Sequence, residues 1–396
     1  MNTSLLAFPF RPFFLLVGLY GAAVLLAWLA ALLLGMPLPS RMIITDWHAH
    51  EMLYGWVPAA IAGFVLTAIT NWTPTPGIAG GRLFALVALW LAGRTLVFFS
   101  GSLVHMGVPY SLVAAVDMSF FVFLAVYVVA VVLRYKNYRN LVLVLVLGLL
   151  TLGNGFMHYG AATQNFVWST QGKLLGFNVI TLVMIIIAGR ITPAFSSNWL
   201  KRSKLQPGVV KSYKWLDIAC IVGTLLLIVL DLSLSDKLIL ALAFALVALL
   251  NGARLLLWRG WVVRSEPLLW VLHLGYAWIV VALLLRALNY AGLASVSPSV
   301  WQHTLGAGAM ATLIFGVMTR VAVGHTGRNL ALQPFALWVY VFINLAALLR
   351  LITAFGAMDF RLGLAATAIL WVAANLLFVL LYWPILSSPR IDGRPG

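Results

Sequence analysis

Long apolar segments recur along the whole chain and constrain its fold more than any other feature. Of the 396 residues, 63% are hydrophobic and only 9% are charged, a composition that soluble domains do not show. A helix needs about 20 apolar residues to cross the hydrocarbon core of a bilayer. Segments of that length predict an all-α integral membrane protein with about 12 transmembrane helices in the lipid bilayer, at 13–35, 47–70, 82–101, 109–133, 141–161, 172–193, 214–231, 238–257, 267–290, 300–323, 333–355 and 361–383.

The loops between these spans are too short for a separate extramembrane domain. The longest, about 194–213, is basic and polar, and we expect a surface segment there. The first span has Arg11 ahead of a long apolar run and a second span behind it, unlike a cleaved signal peptide. Residues 1–396 are therefore expected to form a single polytopic transmembrane domain.

Three spans end in similar polar turns. Spans 2, 6 and 10 end at 70–74, 189–193 and 318–320, with the same number of spans between them. Self-similarity at a fixed period indicates a repeated structural unit. This spacing predicts three four-helix units.

The formal net charge is +16, with 25 Lys and Arg against 9 Asp and Glu. In a soluble protein such basicity indicates nucleic acid as a partner, but in a membrane protein Lys and Arg accumulate in the cytoplasmic loops. One set of alternating loops holds only Arg41, Lys173, Lys237 and Arg361, whereas most other basic residues, Arg394 included, fall on the opposite set. The distribution predicts two cytoplasmic termini and no nucleic-acid partner.

The segment 47–55, Trp-His-Ala-His-Glu-Met-Leu-Tyr-Gly, concentrates ionisable side chains at the outer mouth of span 2. Successive residues of an α-helix are about 100° apart, so His48 and Glu51 share a face and His50 points nearly the opposite way. Ionisable groups in such positions are usually functional, although interfacial side chains at headgroup level are the alternative. We interpret the segment as part of a metal or cofactor site, in which one helix presents ionisable side chains to two different neighbours.

The other histidines fall at two depths of the predicted topology. His303 begins span 10, His158 lies near the end of span 5, and His105 lies between spans 3 and 4, all on the outer side. His273 in span 9 and His325 after span 10 lie on the inner side. Neutral imidazole is a common ligand of heme iron and of copper. Cofactor binding at these histidines is therefore a hypothesis.

Each histidine also has a plainer interpretation. His273 can be a buried side chain that is hydrogen-bonded within the bundle, and His105 can be an ordinary loop residue. At His325, contact with an anion competes with metal ligation, because Arg320 and Arg328 are close in sequence. Cys220 is the only cysteine, so any metal is expected to have His, Met or carboxylate ligands.

Three arginines, Arg94, Arg286 and Arg350, lie inside predicted spans, each in the outward half. Arginines at such depth normally face the interior of the bundle and pair with an anion. A heme propionate, Glu51 or Asp117 would serve as that anion, and snorkelling to the outer headgroups is the alternative.

Five motifs carry a resemblance to a known protein family. In chain order they are Trp47-His48-Ala49-His50-Glu51-Met52, Asn71-Trp72-Thr73, Gly189-Arg190 with Pro193-Ala194-Phe195 and Asn198-Trp199-Leu200, His303-Thr304-Leu305-Gly306-Ala307-Gly308-Ala309, and Thr319-Arg320-Val321-Ala322-Val323-Gly324-His325-Thr326-Gly327-Arg328. Together they span nearly the whole chain and resemble the NnrS family. The chain departs from the family pattern just after span 2 and at Ala188, which replaces a glycine, and neither departure touches a histidine.

The resemblance implies a multi-pass protein of the bacterial cytoplasmic (inner) membrane that contains heme and copper. The family is linked to nitric oxide metabolism, denitrification and defence against nitrosative stress. The resemblance leaves open a heme-copper oxidoreductase that turns over nitric oxide with an electron donor, and a non-enzymatic protein that handles heme or copper or protects iron sites. A small-molecule transporter is a third interpretation, because twelve spans with intramembrane charges also fit that class.

With this resemblance we expect an outer-level heme b with His303 and one of His48 or His50 as axial ligands. Spans 2 and 10 both descend from the outer face, so their histidines begin at similar depth. The remaining span 2 histidine is expected to bind copper with His158, while Glu51 accepts the second imidazole N–H of His48.

Further residues are expected around these sites. Arg94, Arg286 and Arg350 are expected to contact the heme propionates, or Glu51. The inner pair His273 and His325 is the next candidate metal site, and the expected surrounding residues are Glu51, Arg190, Arg320 and Arg328.

The first prediction concerns topology. A reporter fused at Gly396 should report a cytoplasmic position, because the asymmetry of the basic residues places that end inside. A fusion in the loop just before Lys237 is the matched control and should report the opposite side. A periplasmic signal at Gly396 would contradict the depth assigned to every histidine.

Overall fold

The computed structural model describes residues 4–205 and 208–393, and this part of the chain is helical, without a β-strand. Twelve helices are long and apolar enough to cross a membrane: α1 (Phe10–Leu33), α2 (Ile44–Trp72), α3 (Gly80–Phe98), α4 (Tyr110–Arg134), α5 (Leu141–Thr163), α6 (Phe166–Arg202), α7 (Lys214–Ser233), α8 (Lys237–Leu257), α9 (Pro267–Tyr290), α10 (Pro298–Gly324), α11 (Leu337–Ala354) and α12 (Phe360–Ser387). The predicted fold class and the twelve spans are confirmed. Arg394 and Gly396, on which the topology prediction draws, lie outside the described residues.

Local sequence explains where several helices begin. α9 and α10 start at Pro267 and Pro298, and proline suits the first helical position because its missing N–H has no partner there. The Asp236 carboxylate caps α8 by accepting from the backbone N–H groups of Leu238 and Ile239 at 2.9 and 3.1 Å. Such caps satisfy N–H groups that the helix itself leaves unpaired.

Helix α6 corrects one prediction. It runs 37 residues and continues through Pro193 to Arg202, where the sequence predicted an end and a surface loop. A proline removes one backbone hydrogen bond, a loss that membrane helices tolerate when neighbouring groups compensate. Beyond Pro193 the helix still has an apolar face. Leu200 on this face forms a buried core with Val263 and Leu269, and the partly buried Phe195 and Trp199 pack against that core.

The described residues divide into two compact units and not into the expected three four-helix units. Unit 1 comprises Met1–Gly176, Val321–Leu330 and Asn375–Gly396, and unit 2 comprises Phe177–Arg320 and Ala331–Ala374. The second half of α12 joins unit 1 because it packs on α1, where Arg11 Nη1 donates to the carbonyls of Leu386 at 2.8 Å and Ser388 at 2.6 Å. The single polytopic domain and the cytoplasmic termini stay predictions.

Two membrane helices contain a π-helical segment directly after a histidine. In α2 the segment Glu51–Trp56 follows His50, and in α10 the segment Thr304–Met310 follows His303. π-Helical turns are rare and often mark functional sites. A change in helix period also moves side chains away from the directions that a 3.6-residue repeat predicts.

Close packing of α1 on α12 gives a prediction about stability. A Cβ at Gly18 would lie 3.1 Å from the backbone oxygen of Asn375, whereas one at Gly148, also in a helix, would meet no atom within 4 Å. Gly18→Ala should therefore lower the free energy of unfolding by about 1–3 kcal/mol, the usual cost of overpacking. The control Gly148→Ala should leave it unchanged or raise it. Thermal unfolding in detergent measures both, and equal stability of the two variants would contradict the packing.

Candidate functional site

Seven polar side chains from five helices meet inside unit 1. Six of them are buried and Tyr20 is half-buried. We call this group the outer cluster; its members are Tyr20 of α1, His50 and Glu51 of α2, Arg94 of α3, Asp117 of α4, and Asn154 and His158 of α5. Buried polar groups in a membrane helix bundle are costly unless they are paired, and here every member has a partner.

His50 connects two sides of the outer cluster. Its Nδ1 lies 2.8 Å from Glu51 Oε1, and its Nε2 lies 2.8 Å from Asn154 Oδ1. Glu51 also accepts from Arg94 Nη1, 3.0 Å from each carboxylate oxygen, and from the hydroxyl of Tyr20. The sequence predicted His48 as the partner of Glu51, and the structure shows His50. The π-helical segment begins at Glu51, so the 3.6-residue period used for that prediction fails there.

Asp117 is the second acid of the outer cluster. One of its oxygens accepts from Asn154 Nδ2 at 2.8 Å and lies 2.9 Å from His158 Nε2 and 3.4 Å from His50 Nε2. Its other oxygen pairs with Arg94 Nη2. This close approach depends on Gly93, where a Cβ would lie 2.8 Å from the carboxylate.

The second nitrogen of His158 also has a partner. His158 Nδ1 lies 3.0 Å from the hydroxyl of Tyr110, which is near the start of α4. Because Asp117 accepts at Nε2, the phenol donates to Nδ1. The ring is thus held at both nitrogens.

The outer cluster has an uneven charge balance. Arg94 contributes one positive charge, and Glu51 and Asp117 contribute two negative charges, so the cluster is at −1 with neutral histidines. A net charge buried in a low-dielectric interior is costly. A second proton on His50, whose two ring nitrogens both face acceptors, would neutralise it, and a bound cation could take the place of that proton.

The same residues have the spacing of a metal site. His50, His158 and Asp117 each offer one ligand atom, and these atoms lie within 4.8 Å of one another. Ligands held at about 2.0–2.2 Å from one metal lie about 2.9–3.5 Å apart at ordinary coordination angles. The distances from Asp117 Oδ2 to the two Nε2 atoms, 2.9 and 3.4 Å, fall in this range. Two imidazoles and a carboxylate suit copper, iron or zinc.

The other outer histidines of unit 1 have different surroundings. His48 stacks on Trp28, with ring centroids 4.4 Å apart, so the two span 2 histidines do serve different neighbours. His105 is exposed at the end of the short helix Ser100–His105. This exposure agrees with its interpretation as an ordinary residue between two spans.

In unit 2, His303 sits on the first turn of α10. Its Nδ1 lies 2.8 Å from the carbonyl oxygen of Ser299. A carbonyl can only accept, so Nδ1 carries the proton and Nε2 carries the lone pair that a metal requires. Arg350 is buried beside this turn, and its Nη2 donates to the Ser299 hydroxyl at 3.0 Å. Heme ligation by His303 with His48 or His50 stays a prediction, because these residues belong to different units.

Two glycines follow His303 in the π-helical segment. A Cβ at Gly306 would meet no atom within 4 Å, whereas one at Gly308 would lie 2.8 Å from the Trp278 ring. Gly308 therefore allows close helix packing, and Gly306 leaves open space three residues after the histidine.

Arg286 has an acidic partner that sequence reasoning missed. It pairs with Asp231 and donates to Asn178 Oδ1 at 2.7 Å, and its guanidinium lies 3.9 Å from the Trp301 ring. Asp231 also accepts from Tyr290. The sequence does contain a signal, because an acid inside an apolar span calls for a basic partner at similar depth.

The two inner candidates belong to different units. His273 Nε2 lies 3.0 Å from the Ser196 hydroxyl in unit 2, which matches its interpretation as a hydrogen-bonded bundle histidine. His325, in unit 1, packs against the Phe10 ring at 5.7 Å. Of the arginines expected nearby, Arg190 is exposed, Arg320 lies 4.1 Å from the Phe195 ring, and Arg328 is half-buried. Metal binding at these two histidines stays a prediction.

Arg94 gives a prediction about the outer cluster. Arg94→Leu removes the one guanidinium that contacts both acids, and loss of a buried ion-pair partner costs about 3–5 kcal/mol. We expect a matching loss in thermal unfolding measurements, which Arg94→Lys restores in part. The control Arg82→Leu changes an exposed arginine on the same helix and should have little effect. Equal effects of Arg94→Leu and Arg82→Leu would contradict the assigned role.

Comparison with known proteins agrees with the motifs. The family model for the NnrS protein matches residues 4–390, which include all seven members of the outer cluster. A search of curated proteins returned no match. Because the match covers nearly the whole length, the chain belongs to the NnrS family.

Proposed function

We propose that this chain is a heme- and copper-containing membrane protein of nitric oxide metabolism, which binds or turns over nitric oxide at a histidine-ligated metal. The observation that carries the proposal is the convergence of His50, His158 and Asp117 in a buried cluster that holds two acids and one arginine. A metal cation held by these residues would balance the second acid, in place of the extra proton that His50 otherwise carries between its two acceptors.

Copper fits the donor set of the outer cluster. Imidazole suits this metal, and a mixed nitrogen and oxygen donor set is typical of copper(II). Glu51 would accept from Nδ1 of His50, and the Tyr110 hydroxyl would change from donor to acceptor at Nδ1 of His158, because a metal on Nε2 moves the ring proton to Nδ1. Such contacts fix the tautomer and direction of a ligating ring. The choice of copper over zinc or iron rests on the family resemblance.

The heme proposal rests on His303. The Ser299 carbonyl accepts from His303 Nδ1 and so leaves Nε2 available to a metal, Gly306 leaves space beside the helix, and the buried Arg350 would offer a positive charge to a propionate. A heme held at His303 would supply an iron centre able to bind nitric oxide and to exchange electrons.

Protein side chains would control the surroundings of the reaction. Nitric oxide is small and neutral and can enter from the lipid phase, which suits a site buried among apolar helices. Tyr54, Trp56 and Trp90 are fully or almost fully buried in the helices that carry Glu51 and Arg94, and they keep bulk water out of this part of unit 1. The charged pairs Arg94–Glu51 and Arg94–Asp117 hold the metal-facing groups in place.

Metal and heme content of purified variants tests the proposal. His50→Ala and His158→Ala should each lose copper and keep heme, because they remove one proposed copper ligand. His303→Ala should lose or shift the heme spectrum while keeping copper. His105→Ala removes an exposed histidine and is the matched control, with both contents unchanged. Metal analysis and an optical spectrum on each variant measure the outcome.

Several results would separate the alternatives. Wild-type copper in both His50→Ala and His158→Ala places the metal elsewhere, and an unshifted heme spectrum in His303→Ala does the same for heme. If heme and copper are present but nitric oxide is not consumed with an electron donor, the protein is a binding or protective protein and not an enzyme. Absence of both cofactors from wild-type protein would favour the transporter interpretation.

A further inference from the structure

A second group of charged residues in unit 1 lies away from the outer cluster, at the opposite ends of the helices. It combines Arg11 at the start of α1, the turn His325–Arg328 after α10, and the segment after α12. We call it the arginine cluster; its charged members are Arg11, Arg328, Arg390 and Asp392. The proposed function makes no use of it.

Hydrogen bonds fix the segment after α12 against this turn. Arg390 Nη1 donates to the His325 carbonyl at 2.9 Å, and the backbone N–H of Ile391 donates to the Thr326 carbonyl at 3.3 Å. Arg11 is fully buried and donates to carbonyls at the end of α12. The charges of Arg328 and Arg390 act on Arg11 through space, so the three guanidinium groups form one electrostatic unit.

Only one carboxylate is seen to offset these charges in the described part of the chain. Asp392 accepts from Arg390 Nε at 2.9 Å and from Nη2 at 2.6 Å. It lies directly over Gly327, where φ is +75° and a Cβ would be 2.8 Å from the carboxyl carbon. Three arginines and one acid leave a net charge of about +2 in this small region.

Two further observations indicate that an anion belongs here. Arg328 Nη1 is buried and has no hydrogen-bond partner among the described residues, and a buried charged donor without an acceptor is costly. The nearby His325 adds no acceptor charge either, because burial, followed by the charge of Arg390, lowers its pKa and favours the neutral ring. The cluster thus combines excess positive charge with an unused donor.

We propose that Arg328 and Arg390 bind the phosphate of an anionic phospholipid headgroup, with Arg11 adding to the positive field. Guanidinium groups bind phosphate through paired, charge-assisted hydrogen bonds. A lipid fits better than free phosphate because exposed apolar side chains border the cluster: Leu330, Trp383 and Ile391 are 39%, 48% and 65% exposed. They offer a surface to acyl chains, while the arginines take the headgroup.

Asp392 acts as an internal competitor in this arrangement. Its carboxylate occupies two donors of Arg390, which are then unavailable to phosphate. A bound headgroup either displaces Asp392 or shares Arg390 with it. Removal of the Asp392 charge is therefore expected to tighten lipid binding, the opposite of what removal of an arginine does.

Native mass spectrometry of the full-length protein in detergent, titrated with phosphatidylglycerol, tests the proposal. Arg328→Gln should weaken binding at least about tenfold, the size of one charge-assisted hydrogen bond, and Asp392→Asn should strengthen it. Arg264→Gln alters an exposed arginine outside the cluster and should leave binding unchanged. Thermal unfolding without lipid shows that each variant is folded, and Arg328→Lys should retain part of the affinity because it keeps the charge.

Two further titrations distinguish the source of the phosphate. Phosphatidylethanolamine, whose headgroup has no net charge, should bind more weakly than phosphatidylglycerol, and inorganic phosphate should not displace the bound lipid. Wild-type affinity in Arg328→Gln, equal binding of both lipids, or full displacement by inorganic phosphate would each overturn the proposal. None of these results depends on heme, copper or nitric oxide.

Discussion

The structure of unit 1 depends on one arginine held between two acids. Arg94 contacts Glu51 on α2 and Asp117 on α4, and through them it is linked to Tyr20 on α1 and to α5. In a bilayer there is no water to replace a lost partner, so these contacts fix the relative positions of five helices. Apolar packing alone would not select one arrangement, because lipid tails solvate leucine as well as protein does. The ion pairs therefore provide specificity where the hydrophobic effect provides little.

The π-helical segments explain how ordinary membrane helices present a site. In α2 the segment begins at Glu51, and this lets the adjacent His50 and Glu51 contact each other while His48 stacks on Trp28. In α10 the segment follows His303, whose Nδ1 is held by the preceding turn. A wider turn leaves some backbone groups with poorer hydrogen bonds. Its presence behind a histidine in both helices favours a functional reason over chance.

Much of the architecture could be predicted, because hydropathy alone determines which segments lie in a bilayer. The acidic partners of Arg94 also followed from the rule that buried arginines pair. Other features depend on tertiary packing, which leaves no local signal. Nothing near Pro193 shows that α6 continues to Arg202, since the packing of Leu200 on a distant helix stabilises that extension. The period of a π-helical segment is likewise invisible in the sequence, so the contact of Glu51 with His50 could not be predicted from the geometry of a regular helix.

The buried charged groups of the two units differ in the balance of acids and arginines. In unit 1 the outer cluster has two acids for one arginine, and its excess negative charge suits a metal cation. In unit 2 the pair Arg286–Asp231 is neutral, while Arg350 has a hydroxyl as its observed partner near His303. A buried arginine paired only with a hydroxyl retains its charge, which suits an anion such as a carboxylate of a bound cofactor. Electrostatics thus favours a cation at the outer cluster and an anion near Arg350, whereas the identification of these as copper and heme rests on the family resemblance.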